Sequence, residues 1–428
     1  MQLRSATSRA VAATAAVLAL ASCAGGPAEG PVAEQAPEGK VVEPGAAQGA
    51  SGEVTVCGIR DTGVFKTLTD SFNARGTGVT ARYVELGQDT DAARAQAIQR
   101  LEGGSAECDI YLMDVTWVSE WAAQGWVQDQ TKVVEQHKAD FIPATLETAR
   151  YAQRYWATPF YTNAGLLFYR NDRVQPPTTW KQVYEQAARD PRNQVEIQAK
   201  QYEGLTVNFL EMLYSAGGSV LDEHGNVTID SPQTRAVLNF MAEGVKSGAV
   251  DRAGLTYNED GSRRAYESGV AGQHRNWPSA YKLIQQTDAG PSTAVAPLPA
   301  FDEASKPAAV LGGWNFGIAT ASDNPGAAVA FIDYASSAEF QKTITLKHAQ
   351  APVVAAIYDD PEVQAAIPFI TQLKQSVLSA KPRPKSPVYA QISKAIYSNV
   401  YPVIAGEADV ATAVPKMAAD IKAAQETF

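Results

Sequence analysis

Apolar residues follow two different periods in the first half of the chain. Residues 54–58 and 108–114 are short, largely apolar runs of the kind that forms buried strands, and residues 79–84 resemble a further strand. After each run, apolar residues recur at helical spacing. The three predicted helices cover residues 64–72, residues 91–101 and the stretch through Trp117 and Trp121. A strand followed by a helix, three times in succession, predicts a parallel sheet covered by helices.

The rest of the chain continues this alternation of short strands and longer helices. Strands are predicted at 165–169, 293–298 and 315–320, and helices at 206–216, 233–246, 325–335 and 391–400. The chain has 428 residues, enough for two or three domains. The predicted fold class is therefore α/β, built from two lobes.

The first residues have the pattern of an export signal. Arg4 and Arg9 precede an apolar stretch over 10–20 that is too short to span a membrane, and Leu20-Ala21-Ser22-Cys23 follows. This resembles a bacterial lipobox, which predicts a signal peptide over 1–22 and acylation of Cys23. An ordinary secretory signal with an incidental cysteine is the alternative. Both interpretations place the protein outside the cytoplasm.

Residues 23–52 are rich in Ala, Gly, Pro, Glu and Gln and contain no aromatic residue. Such a segment buries too little apolar surface to offset its ordering entropy, so it predicts a flexible tether behind the lipid anchor. Cys57 and Cys108 remain in the exported chain and could pair in an oxidising compartment. Because they lie in different apolar runs at different depths from the strand ends, two buried free thiols are expected instead.

Charge and motifs exclude several classes of function. The chain has 36 Lys and Arg against 46 Asp and Glu, without a basic cluster, which disfavours a nucleic-acid partner. It lacks the glycine-rich nucleotide loops, the H-E-x-x-H and C-x-x-C motifs and the G-x-S-x-G elbow. Its four histidines are far apart in sequence, so neither a metal nor a cofactor is expected. Two carboxylates brought together by folding could still form a glycosidase site.

Three carboxylates follow predicted strands. In open α/β sheets, ligands bind beyond the carboxyl ends of the strands, so Asp61, Asp89 and Asp114 are candidate ligand contacts. Asp is also a common helix N-cap residue. Both roles stay open for Asp61, whereas Asp114, directly at a strand end, is expected to be functional.

Aromatic residues stand beside Gly, Pro and Asn in four segments that look like loops. These segments are 161–163, 201–204, 276–278 and 312–315. A sugar presents an apolar ring face and a rim of hydroxyls, so its site needs aromatic surfaces together with Asp, Asn, Glu or Arg. Trp277 and Trp314 are expected to supply such surfaces. Four other tryptophans, Trp121, Trp126, Trp156 and Trp180, are expected to fill the core.

Six phrases in one order carry a resemblance to a known family. They are residues 109–126, 159–170, 201–205, 275–280 and 312–314, and Arg383-Pro384 with Tyr389. They resemble the trehalose/maltose-binding proteins of ABC importers, which belong to extracellular solute-binding protein family 1, over about 53–425. The actinobacterial trehalose-binding lipoproteins look most similar.

The resemblance implies a periplasmic-binding-protein-like fold, in which a three-segment hinge joins two α/β lobes around a ligand cleft. Lobe 1 would comprise 53–161 and 315–350, and lobe 2 would comprise 163–313 and 352–428. The implied ligand-binding residues are Asp61, Asp89, Arg94, Asp114, Tyr161, Asn163, Tyr202, Glu203, Trp277, Gly313, Trp314 and Arg383.

Roles for these residues follow from their chemistry. Trp277, Trp314 and Tyr202 are expected to stack on sugar rings, and Asp114, Asn163 and Glu203 to accept from hydroxyls. Arg383 would donate several hydrogen bonds. Two departures concern the choice of sugar: Asn163 stands where several relatives have a carboxylate, and the loop containing Arg60 is more basic than the family's.

The resemblance implies a non-enzymatic receptor that needs no cofactor. It would capture an α-linked disaccharide, with trehalose the first choice and maltose or another α-glucoside next. Its partners would be ABC permease subunits, which work with a cytoplasmic ATPase, and it would touch the membrane only through its lipid anchor, as a monomer. The alternatives are a receptor for another small carbohydrate or polyol, a lipid-anchored glycoside-active enzyme, and an adhesin.

Overall fold

The computed structural model describes residues 38–427. The predicted signal peptide, Cys23 and the first part of the predicted tether lie outside the described residues. Within them, the strands β1 to β12 are Gly52–Gly58, Val79–Glu85, Ile110–Asp114, Arg150–Tyr151, Arg154–Tyr155, Thr158–Ala164, Leu166–Arg170, Val195–Glu196, Gln273–Asn276, Thr293–Pro297, Leu311–Ile318 and Ala351–Pro352.

The described helices comprise sixteen α-helices and five short 3₁₀ turns. The helices α1 to α16 are Val64–Asn73, Thr90–Glu102, Val118–Ala123, Thr131–His137, Pro143–Thr148, Trp180–Arg189, Glu203–Ser215, Pro232–Ser247, Glu259–Glu267, Ala280–Ile284, Pro325–Ser336, Ala338–His348, Pro361–Ala366, Ile370–Ser379, Tyr389–Ala405 and Val410–Gln425.

Two sheets organise two lobes. The first lobe contains a six-stranded sheet in the order β12-β6-β11-β3-β1-β2, and the second a four-stranded sheet in the order β10-β7-β9-β8. Strands β2 and β3 pair in parallel with β1, as the three βα units predict. Strand β11 is antiparallel to both of its neighbours, β3 and β6. The α/β fold class is confirmed, with a mixed first sheet.

Each lobe has its own apolar core. From β6 onwards, buried residues change from one core to the other at three places, 161–164, 311–314 and 344–349. Three chain segments therefore connect the lobes. Residues 134–146 add a further connection, because Val134 and Leu146 pack in the core of the second lobe although they precede β6.

Several phrases expected to be loops are strands. Tyr161 and Asn163 lie in β6, and Trp314 lies in β11, where it pairs with Tyr161 on one side and Asp114 on the other. Their Gly and Asn content is typical of turns, but both strands lie inside the first sheet, and ladder hydrogen bonds override local preference there. The expected strand at 315–320 thus begins earlier, at Leu311.

The last part of the predicted tether is packed rather than free. The backbone amide of Val42 donates to the carbonyl of Asp129 at 2.8 Å, and the amide of Asp129 donates to the carbonyl of Lys40 at 2.8 Å. The Val42 side chain is buried in the first lobe. Backbone pairing and one buried valine anchor a segment whose composition predicted flexibility.

The expectation of two free thiols is wrong. Cys57 and Cys108 form a disulfide, with their Cα atoms 5.8 Å apart. Cys57 belongs to β1, but Cys108 precedes the neighbouring strand β3, which begins at Ile110. In the β1–β3 register Cys57 lies opposite Tyr111, three residues after Cys108. The expected difference in depth is therefore present, but it still leaves the two Cα atoms within disulfide distance.

Removing this disulfide is expected to destabilise the first lobe. The bond closes a loop with a sequence separation of 51 residues, and loop-closure entropy for such a length corresponds to about 4 kcal/mol. We expect the Cys57→Ala/Cys108→Ala variant to unfold at a clearly lower urea concentration than the oxidised protein. A reductant should lower the midpoint of the parent and leave that of the variant unchanged; equal midpoints for parent and variant would contradict the prediction.

Candidate functional site

A cavity of about 170 Å³ lies between the two lobes. Strand ends and loops of the first lobe contribute Arg60, Thr62, Thr90 and Asp114. The second lobe and the connecting strands supply most of the remaining polar and aromatic lining. These residues are Tyr161, Asn163, Glu203, Asn258, Glu259, Asp260, Trp277, Ser279, Gly313, Trp314, Gln350 and Arg383.

Trp277 is held in place from behind. It follows β9 directly, and the guanidinium carbon of Arg275 lies 4.1 Å from the centre of its ring. Arg275 is fully buried, and its Nε donates to Glu211 at 2.8 Å. A Cβ at Gly312 would lie only 3.1 Å from the indole, so glycine allows the strand to approach. These contacts fix the ring and leave it half-buried at the cavity.

Trp314 forms the second aromatic surface. It lies in β11 beside Gly313, whose φ of 131° is accessible to glycine but rarely to other residues. A Cβ at Gly313 would lie 2.4 Å from the carbonyl oxygen of Tyr161. Glycine is therefore required where this strand passes Tyr161. The Trp314 ring packs edge-on against Trp117, with centroids 5.5 Å apart.

A buried ion-pair triad joins the lobes at the cavity. Arg383 donates through Nη2 to Asp114 Oδ1 at 3.0 Å and through Nη1 to Glu203 Oε1 at 2.7 Å. Glu203 also accepts from the hydroxyls of Tyr389, at 2.7 Å, and Ser393. All three charged side chains are more than nine-tenths buried. The triad ties β3 of the first lobe to α7 of the second.

Burial and pairing act in opposite directions on these charges. Burial raises the pKa of Glu203, and the adjacent Arg383 opposes that shift. For Arg383, burial would lower the pKa, but Asp114 and Glu203 raise it above its usual value. The guanidinium is therefore charged and committed to two carboxylates, rather than free as a hydrogen-bonding fork for a ligand.

Three buried polar atoms of residues at the cavity lack partners within the described residues. They are Oδ1 of Asn163, Oε1 of Gln350 and Nε of Arg383, and all three side chains line the cavity. An unpaired buried acceptor or donor costs about 1–3 kcal/mol. A ligand hydroxyl both donates and accepts, so it can satisfy any of these atoms. The cavity thus combines two aromatic surfaces with unmet hydrogen-bonding capacity.

The cavity does not suit an anion. Its lining has four carboxylates, from Asp114, Glu203, Glu259 and Asp260, against the guanidinium groups of Arg60 and Arg383. Both guanidiniums are paired: Arg60 contacts Asp260 at 2.8 Å, and Arg383 is held by the triad. A neutral polar ligand is favoured, because it leaves this balance of charge undisturbed.

The structure brings eight of the twelve expected ligand-binding residues to the cavity. They are Asp114, Tyr161, Asn163, Glu203, Trp277, Gly313, Trp314 and Arg383. The other four, Asp61, Asp89, Arg94 and Tyr202, do not line it.

Two of these four bind the backbone amides at helix N-termini. Asp61 accepts from the backbone amides of Gly63 and Phe65, at 2.8 and 2.9 Å, which is the capping alternative open at the sequence level. Asp89 is the N-cap of α2 and also pairs with Lys200 of the second lobe at 2.7 Å. The carboxylate oxygens of Asp61 and Asp89 are therefore occupied by these hydrogen bonds and by the ion pair with Lys200.

The remaining two are occupied elsewhere. Arg94 forms a bidentate ion pair with Glu120 and lines a neighbouring cavity. Tyr202, the N-cap residue of α7, is almost fully buried, and its hydroxyl donates to Glu259 at 2.7 Å. It cannot stack on a ring in the cavity from there, so it supports Glu259 instead.

Sequence reasoning missed a set of polar lining residues. They are Gln88, Asn258, Glu259, Asp260, Ser279 and Gln350. The run 258–260 forms the N-terminal turn of α9, where Asn258 is the cap. An Asn followed by two acidic residues is a recognisable signal for the start of a helix. The sequence does not show that this helix start lies across the cleft from Arg60.

The described residues contain no cluster of three or more His, Cys, Asp and Glu side chains suited to a metal ion. Among the helices of the same region, none is both long and apolar enough to cross a membrane.

Comparisons with known proteins identify the class. The profile of the bacterial extracellular solute-binding proteins matches residues 60–342, and the chain belongs to this family. A probable ABC transporter-binding protein of Deinococcus radiodurans is 31% identical over 352 residues, covering 77% of this chain and 83% of the relative. Members of the family are solute-binding proteins, which is consistent with a ligand cavity between the two lobes.

Among solved structures, maltose-bound MalE3 of T. maritima is similar, with a TM-score of 0.82 and 29% identity over 86% of this chain and 99% of that chain. The GacH receptor of Streptomyces glaucescens shares the fold, with a TM-score of 0.79 and 23% identity over 88% of this chain and 99% of that chain. The periplasmic-binding-protein-like fold with two lobes is thereby confirmed.

Proposed function

We propose that this protein is a sugar receptor of an ABC importer and that it captures an α-linked disaccharide, with trehalose the first choice and maltose or another α-glucoside next. The observation that carries the proposal is the pairing of Trp277 and Trp314 with the unpartnered Asn163 Oδ1 at one interlobe cavity. Aromatic faces and free hydrogen-bonding atoms are what a neutral sugar requires. The similarity to a maltose-bound protein supports the same class of ligand.

Hinge closure would couple binding to transport. The cavity is lined from both lobes, so a sugar in it contacts both and favours the closed arrangement. The ion pairs Arg60–Asp260 and Lys200–Asp89 also cross between the lobes. The permease would recognise the closed form, and the receptor would act as a monomer without catalysing a reaction.

The predicted anchor belongs to the same proposal. An acylated Cys23 would hold the receptor on the outer face of the cytoplasmic membrane, close to the permease. Labelling of growing cells with a fatty acid tests it: the parent protein should carry label, and the Cys23→Ala variant should carry none. An unlabelled parent would leave an exported protein without an anchor.

The cavity volume favours a second candidate, a monosaccharide or polyol. At about 170 Å³ the cavity lies below the ~300–1,000 Å³ that is usual for ligand sites. A mannitol-binding protein of Pseudomonas aeruginosa is also a relative, at 22% identity over 78% of this chain.

Isothermal titration of residues 24–428, without lipid, with trehalose, maltose, sucrose, glucose and mannitol distinguishes the candidates. Micromolar binding of one α-linked disaccharide, with glucose and mannitol at least about 100-fold weaker, is expected. Tight binding of mannitol or glucose alone would replace the disaccharide with a smaller ligand. Absence of binding across the panel would contradict the sugar-receptor proposal.

A further inference from the structure

A second cavity of about 240 Å³ adjoins the first between the lobes. The first lobe contributes the start of α2, with Asp91, and Trp117 beyond β3; the second lobe contributes Tyr389, Lys394 and Tyr397 of α15. Thr90 and Glu203 line both cavities. The two spaces therefore share a wall, and each is bounded by both lobes.

The chemistry of the second cavity matches that of the first. Trp117, Tyr389 and Tyr397 provide aromatic surface, and Asp91 and Lys394 provide polar groups. The aromatic surface is continuous, because the rings of Trp314 in the first cavity and Trp117 in the second pack edge to face with centroids 5.5 Å apart. A chain of sugar rings could follow it from one cavity to the other.

The polar groups of the second cavity are placed by cross-lobe contacts. Asp91 Oδ1 accepts from the backbone amide of Glu203 at 3.3 Å, and Asp91 also interacts with the Tyr397 hydroxyl. Burial, with the nearby Glu203, raises the pKa of Asp91 to about 6. Lys394 is exposed and has no ion-pair partner among the described residues, so its ammonium is available to a ligand.

The volumes of the two cavities also favour a ligand that fills both. The first cavity alone is smaller than usual ligand sites, whereas the two together lie within the usual range. A third space of about 760 Å³ lies beyond Arg383. Its lining mixes apolar residues such as Val220, Leu221 and Pro382 with hydroxyl-bearing and charged side chains. It offers a sugar one aromatic face, from Tyr214, whereas the second cavity offers three.

We propose that the ligand occupies both cavities, with one sugar ring at Trp277 and Trp314 and the next ring in the second cavity against Tyr397 and Lys394. This inference rests on the proposed function. It names Tyr397 and Lys394 as the residues that distinguish a disaccharide from a monosaccharide.

Titration of two variants against a disaccharide and glucose tests the inference. Tyr397→Ala should weaken binding of the disaccharide by about tenfold or more, since it removes an aromatic contact. Lys394→Ala, an exposed change that leaves the fold intact, should weaken it about three- to tenfold. Neither should change glucose binding, measured by displacement at millimolar concentrations. Leu221→Ala in the third space is the matched control and should leave both affinities unchanged.

The outcomes separate this inference from the proposed function. If the parent protein binds no sugar, the proposed function fails. If the parent binds a disaccharide and both variants bind it equally well, only the second ring site is overturned. Selective loss in Leu221→Ala would move the second ring to the third space, and equal affinity of the parent for glucose and disaccharide would also overturn the inference.

Discussion

Replacing Trp277 by alanine is expected to lower the affinity for the sugar by about 30-fold or more. Truncating an aromatic residue at the centre of a binding site commonly costs about 2 kcal/mol, and 1.4 kcal/mol is a factor of ten. The Arg275 guanidinium, 4.1 Å from the ring centre, and Gly312 behind it hold the indole in one orientation. The ring is therefore preorganised, and little entropy is lost when a sugar stacks on it.

Titration of the variant with the best ligand of the parent protein measures this effect. Trp126→Ala is the matched control, because Trp126 is a half-buried tryptophan that packs against Trp121, away from the cavity. It should affect thermal stability without affecting affinity. If Trp277→Ala binds as tightly as the parent, the assignment of the aromatic surface is wrong.

Replacing Arg383 by methionine is expected to lower the free energy of unfolding by about 3–5 kcal/mol. Removing one member of a buried ion pair leaves its partners charged and unpaired, and this loss is typical of such changes. Asp114 and Glu203 would both lose the cation that contacts them at 3.0 and 2.7 Å. The connection between the lobes should weaken at the same time, with loss of sugar affinity.

The pH dependence of this effect has a definite sign. Burial already raises the pKa of Glu203, and without Arg383 the pKa should rise further. A carboxyl group with a raised pKa in the folded state costs no stability below its unfolded pKa, and the cost grows as pH rises toward the folded pKa. The destabilisation should therefore be smaller at pH 5 than at pH 8.

Urea unfolding of Arg383→Met at both pH values measures the loss. Arg82→Met is the control, because Arg82 pairs with Glu53 on the exposed surface, where such pairs contribute about 0–1 kcal/mol. Adding Glu203→Gln to Arg383→Met should recover part of the stability by removing one unpaired charge. Equal losses in the Arg383 and Arg82 variants would show that the triad does not stabilise the fold.

The pattern of apolar residues along the chain predicted strands correctly where burial of the side chains determines the secondary structure. The apolar runs before Asp61 and at Asp114 predicted two strands of the first sheet, because a strand buried on both faces is mostly apolar. The run before Asp89 predicted the edge strand β2, in which the first buried and exposed residues alternate. Pattern failed for Tyr161 and Trp314, whose Gly- and Asn-rich surroundings suggested loops. Their strand conformation comes from pairing between β6 and β11, which are far apart in sequence.

The sequence also predicted some residues of the candidate site correctly and others wrongly. Residue type and family resemblance identified Trp277, Asn163 and Arg383, all of which reach the cavity. Neither could show that the Asp61 oxygens accept from amides at the start of α1 or that Tyr202 is buried at the N-terminal end of α7. A side chain of suitable chemistry contacts a ligand only if no closer partner takes its hydrogen-bonding atoms.

The sequence by itself determined the α/β class, the order of the first strands and helices, and the chemical types gathered for a neutral polar ligand, because periodicity and composition depend on local burial. Only the tertiary structure decided the Cys57–Cys108 disulfide, the packing of Val42, and the engagement of Arg383 by two carboxylates. Each of these depends on the distance between groups that are far apart in the chain. Such distances are set by how the elements pack, which no local pattern records.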